Sequence, residues 1–159
     1  MDTETPVDAW YCWLGVALVS VAVGGVALAL PGTPPPDANR LANTVDRVAG
    51  SPADADAVRD HDADAFRLRG NRIALRNDGG TTRATAAFGT LTLARGDERL
   101  RAVLRGQSVE AAFGDRRAFL SAAGDARKAT NESVWREARG RLRVRTLVWG
   151  DRRVTLVDL

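Results

Sequence analysis

Hydrophobic and polar residues are very unevenly distributed along this chain. Residues 10–30, WYCWLGVALVSVAVGGVALAL, hold no charge and no proline, and Ser20 is the most polar of them after the aromatic tips. At 1.5 Å per residue, a helix of that length covers roughly 30 Å, the hydrocarbon thickness of a bilayer. A soluble domain offers a helix only one side to bury, so apolarity on every face predicts a transmembrane helix over residues 9–30. Trp10, Tyr11 and Trp13 cluster at one end, where amphipathic rings favour the headgroup level. Residues 1–8 form an acidic head with Asp2, Glu4 and Asp8 and no Lys or Arg, unlike the basic start of a secretory signal. Ala27-Leu28-Ala29 has the small-x-small form of a cleavage site, but Pro31 close behind makes it a poor one. Ser20 and Gly24 stand four apart, as do Gly25 and Ala29, a spacing that lets a second helix approach closely. Small residues are also simply common in membrane helices.

Residues 31–36, PGTPPP, cannot continue a helix and form a stiff stalk. Residues 37–65 read as a helix followed by an acidic loop. Asp37 is the N-cap, Leu41, Val45 and Val48 make one stripe, and Gly50-Ser51-Pro52 stops the helix. SPADADAVRDHDADA, residues 51–65, shows no clear periodicity.

Residues 66–159 read as a strand-rich α+β domain. FRLR and RIALR around Gly70-Asn71 predict a hairpin, with Phe66 and Leu68 on one face of the first strand and Ile73 and Leu75 on one face of the second. TTRATAAF and LTLAR extend this to a meander of about four strands. Helices follow at ERLRAVLRG, at VEAAF capped by Ser108, and from Asp115 to about Ala129. LRVRTLVW and RRVTLVDL, joined by Gly150-Asp151, close the pattern as two strands. The expected fold class is α+β, with one N-terminal transmembrane helix and a small antiparallel-sheet domain carrying two or three helices.

Charge is as unevenly placed as apolarity. The formal net charge is +3, yet residues 1–36 carry −3, residues 37–65 carry −4 and residues 66–159 carry +10. The bases are 22 Arg and the single Lys128. Arg141, Arg143, Arg145, Arg152 and Arg153 fall on the last two strands as a candidate partner-facing basic patch. Phosphate contacts need only such a patch, but Trp149 is the sole aromatic on those strands, so a base-stacking platform is missing and nucleic acid is disfavoured.

Catalytic and metal chemistry find little to work with. Cys12 is the one cysteine and His61 the one histidine, which leaves no intramolecular disulfide, no thiolate or multi-histidine metal site, and no His-Cys pair in the part after the apolar run. No nucleophile elbow, phosphate loop, dinucleotide fingerprint or calcium loop is present. No catalytic residue, cofactor or metal ligand is assigned, and a non-enzymatic protein is expected. Asn131-Glu132-Ser133 fits a glycosylation sequon, a triplet that chance often produces.

VDAWYCWLGVALVSVAVGGVALALPGTPPPDA, NTVDRVA, RIALRNDGGTTRATAAFG and RLRVRTLVWGDRRVTLV together resemble an uncharacterised family of haloarchaeal single-pass membrane proteins encoded with type IV pilus or type II secretion-like systems. The resemblance implies a pilin-like architecture, an apolar helix carrying a small strand-rich head. It implies as partners membrane lipid and other membrane, pilus or secretion proteins; the spacing of Ser20, Gly24, Gly25 and Ala29 allows a homo-oligomer through the apolar helix. The chain departs from the pilin pattern in lacking a basic leader before the apolar run and an acid within it. The functional expectation is a membrane-anchored structural or assembly component with its domain outside the cell. The alternative is a cytoplasm-facing adaptor that binds acidic protein or nucleic acid through an Arg-rich face. Arg40 and Arg47 beside the apolar run favour that second orientation.

Overall fold

Leucines and valines spaced for strands in residues 55–158 build two four-stranded sheets rather than one. The computed structural model describes residues 7–29, 32–132 and 134–159, and the chain divides into the units Met1–Pro34 and Pro35–Leu159.

In the first unit, α1 spans Val7–Ala29. Among the described residues no helix is long and apolar enough to cross a membrane, which corrects the expected transmembrane helix over residues 9–30. The acidic head, residues 1–6, lies outside the described residues.

The second unit opens with α2 (Ala38–Ala49). Asp37 caps it by accepting from the Arg40 amide at 2.9 Å, and Leu41, Val45 and Val48 are buried. The stretch read as an acidic loop contains a strand, β1 (Ala55–Asp60), paired antiparallel with β7 (Arg141–Trp149). Its alternation is weak because only Ala55, Ala57 and Arg59 turn inward, as suits an edge strand. α2 and β1 belong to the same unit as the later strands.

The hairpin forms as expected. β2 (Ala65–Arg69) and β3 (Arg72–Asn77) meet at Gly70, whose φ of +62° suits glycine. β4 (Gly80–Thr85) extends the meander, and β6 (Arg136–Glu137) pairs on the far side of β2, giving the order β4-β3-β2-β6.

The fourth strand of the expected meander leaves it. β5 (Leu91–Leu93) joins the other sheet, parallel to β8 (Arg152–Asp158), in the order β1-β7-β8-β5. A purely antiparallel sheet domain is thus corrected to two sheets, one with a parallel pair. Leu91 and Leu93 are buried in that position, beside Thr155 and Val157 of β8.

The sheet of β1, β7, β8 and β5 is covered on both faces. Leu142, Val144 and Val157 pack against α2 and the inner residues of the second sheet, Phe66, Leu68, Ile73 and Leu75. Leu147, Val154 and Leu156 pack on the other side against α3 (Glu98–Leu104), α4 (Val109–Phe113) and α5 (Arg116–Thr130). Caps at Asp97, Ser108 and Asp115 start these helices. The second sheet, by contrast, has one face on the core and one facing out, as antiparallel sheets tolerate.

Candidate functional site

The strand register decides where every arginine points. On β7, residues 142, 144 and 146 face α2, while Arg141, Arg143 and Arg145 face α3. Arg152 opposes Trp149 and shares their side; Arg153 opposes Val148 and lies on the opposite face. Four of the five residues of the expected basic patch therefore share a face, and Arg153 lies on the other.

Two of them close helix ends instead. Arg145 donates to the main-chain oxygens of Val103 at 2.6 Å and Gln107 at 3.1 Å, where α3 runs out. Arg153 does the same for α2, donating to Ala49 at 2.5 Å and Ser51 at 2.9 Å. Carbonyls at a helix C-terminus lack partners within the helix, and a guanidinium suits the negative end of the dipole. Arg141 pairs with Asp60 at 2.9 Å across β7 and β1. Arg141 and Arg143 line a groove with Arg101, Arg105, Asp60 and Asp158, and Glu98 meets both Arg101 and Arg105 there. Arg101, Arg105 and Arg141 meet carboxylates in this way. Trp149 packs edge-on against Phe119, with ring centres 5.5 Å apart, so it offers no free stacking face.

A further set of arginines without ion pairs lies on the outward face of the second sheet, which the sequence reading passed over. Register places Arg67, Ala74 and Arg83 in one row across β2, β3 and β4. Arg69, Arg72 and Thr85 form the next row, and Ala65, Arg76 and Thr81 the third. Arg69, Arg72, Arg76 and Arg83 are exposed and Arg67 is half-buried. Among the described residues none of the five has an ion pair or a hydrogen bond, and the face holds one acid, Glu137, at its β6 margin. Trp135 lies beside them, with the guanidinium carbons of Arg67 and Arg76 at 4.8 and 4.7 Å from its ring centre. The signal was present in FRLRGNRIALR: once Phe66, Leu68, Ile73 and Leu75 turn inward, the alternating arginines must turn outward.

On α1, Ser20 and Gly25 are exposed and Gly24 is half-buried, with nothing within 4 Å of the side-chain position of either glycine. The Ala29 side chain lies outside the described residues, as does Ser133 of the sequon. Among the described residues no three His, Cys, Asp or Glu side chains gather as a metal site. His61 is half-buried, its Nδ1 accepting from the Ala63 amide at 3.2 Å, and burial holds its imidazole below the ordinary 6.5.

No curated protein and no solved structure matches the chain. A family model described as a family of unknown function, DUF7283, matches residues 4–147, most of the chain, and the protein belongs to that family.

Proposed function

We propose that this protein is a non-enzymatic structural or assembly component, membrane-associated through the apolar surface of α1 and accessory to a pilus or secretion-like machine. The observation that carries this reading is the uncovered apolar surface of α1. Trp10, Trp13, Leu18, Val19, Val21 and Val23 are each more than 60% exposed, and no charge interrupts residues 10–25. Apolar patches of that extent mark contact with lipid or with a protein partner. The family resemblance supplies the machine. Flotation of the full chain with phosphatidylcholine vesicles tests membrane association: the protein rises with the vesicles, whereas a V16K/V19K variant stays below. Monodisperse wild-type protein left at the bottom without detergent overturns it. Recovery of pilus or secretion subunits with the detergent-extracted protein tests the machine, and their absence removes that part.

A second reading is a cytoplasm-facing adaptor for acidic partners, favoured by the five unpaired arginines of the second sheet. Protease treatment of intact cells separates the two, because digestion of the domain from outside excludes a cytoplasmic adaptor.

A further inference from the structure

Arg69 and Arg72 stand directly opposite each other at the end of the β2–β3 hairpin, and neither has an acid in reach. Like charges paired across strands are destabilising, and three further arginines on the same face deepen the effect. A layer of anions laid on the face reverses its sign. We propose that the outward face of the second sheet docks on an anionic phospholipid bilayer, with Arg67, Arg69, Arg72, Arg76 and Arg83 meeting lipid phosphates. The inference rests on the membrane association argued above and gives that association its polar half.

Three features favour a bilayer over other polyanions. Arginine presents a planar fork of donors that fits phosphate oxygens, and five such forks project from one sheet between the small residues Ala65, Ala74, Thr81 and Thr85. A sheet face of this kind suits a plane of headgroups. Trp135, the aromatic beside it, already carries the guanidinium groups of Arg67 and Arg76 over its ring, which removes the free ring that base stacking needs. An amphipathic Trp next to the 54% exposed Val134 instead matches the boundary between headgroups and acyl chains.

The third feature is the start of the second unit. Pro36 accepts a hydrogen bond from the Thr82 hydroxyl at 2.5 Å, and Pro35 lies 3.7 Å from the side-chain position of Gly80. Pro35 and Pro36, at the start of the second unit, thus lie against β4, the edge strand of the arginine-bearing sheet. A weak lipid contact on a short tether from a lipid-seeking helix acts at high effective concentration, and stable attachment takes two such signals.

The test uses the full chain with vesicles of phosphatidylcholine, alone or mixed with phosphatidylglycerol. Binding is tighter on the mixed vesicles, and the advantage shrinks as salt rises. Each single Arg→Gln change on the face lowers that advantage by roughly fivefold, the usual strength of a basic residue at an anionic surface. The combined R67Q/R69Q/R72Q/R76Q/R83Q variant loses the advantage while keeping the wild-type circular dichroism and melting no lower than the wild type. Arg117→Gln, on an exposed turn of α5, leaves it intact. Equal binding to both vesicles, or a combined variant that still prefers phosphatidylglycerol, overturns the docking face and leaves the α1 reading standing. Failure to bind either vesicle removes both. Binding of a single-stranded oligonucleotide that the combined variant loses, without any preference for phosphatidylglycerol, overturns the proposal in favour of nucleic acid.

Discussion

Arg95 donates from Nε to the Asp158 carboxylate at 3.0 Å, tying the turn that follows β5 to the end of β8. Its remaining guanidinium nitrogens donate to the main-chain oxygens of Glu137 and Leu159, and its plane lies over the Phe66 ring at 5.0 Å. One side chain thereby joins both sheets. Both partners of the ion pair are about five-sixths buried, so removing one leaves a charge with little water to return to. Arg95→Ala is expected to cost about 3 kcal/mol in urea unfolding, and Asp158→Asn less, because its amide still accepts. A loss under about 1 kcal/mol for Arg95→Ala would show the pair to be ornamental.

Arg145 and Arg153 cap α3 and α2 from opposite faces of one sheet. Replacing either with Met keeps much of the apolar stem and removes the donors. Arg145→Met is expected to cost about 2 kcal/mol and the exposed Arg153→Met about 1 kcal/mol. Their effects should add in the double variant, since they share no partner. Hydrogen exchange should quicken at the end of α3 in the first variant and at the end of α2 in the second.

Thr146 and Thr155 are cross-strand partners on β7 and β8, fully buried, with their hydroxyls 3.0 Å apart. Thr146→Val strands the Thr155 hydroxyl and is expected to cost about 1–2 kcal/mol. Changing both to Val removes donor and acceptor together and should recover most of that loss. A double-mutant cycle measures the difference, and simple additivity would mean that the bond contributes nothing.

His61 supplies a pH dependence. Burial is the main cause of its lowered pKa, opposed by the carboxylates of Asp62 and Asp60. A proton added at Nδ1 would also set it against the Ala63 amide, whose hydrogen it now accepts. The folded chain therefore binds this proton less readily than the unfolded chain does. Its contribution to stability is present above the unfolded value of about 6.5 and declines as pH falls below it. Melting curves of the wild type and His61→Gln should diverge less at acid pH than at neutral pH; a difference constant with pH contradicts the assignment.

Much of this architecture was legible wherever a local rule decided it. Asp37, Ser108 and Asp115 announced helix starts, Gly70-Asn71 a hairpin, and Leu100, Val103 and Leu104 a buried helix face. Failures came where distant segments decide. β1 reads as loop because its side chains are alanine and aspartate, and only pairing with β7 makes it a strand. β5 has three residues, too few to show that its partner lies some sixty positions on. Within the basic patch, register keeps Arg141, Arg143, Arg145 and Arg152 on one face and turns only Arg153 to the other, which alternation along a single strand does not reveal. Arg153 differs from Arg152 only by one place, and that place turns it toward α2. The arginine face of β2–β4 needed only the converse of the apolar pattern, the outward side of residues whose inward side was plain.

The interleaving of β1, β7, β8 and β5 also sets a timetable for a ribosome delivering this chain from its N-terminal side. The β2–β4 hairpins close on neighbouring residues and can assemble early, whereas β1 must wait for β7, more than eighty residues downstream. Contacts of such sequence separation are slow to form, and the intervening time leaves the unpaired β1 and β5 backbones open to wrong partners. A nascent domain of this design therefore gains from a chaperone or from rapid completion of synthesis, and its yield should track elongation rate more closely than its final stability does.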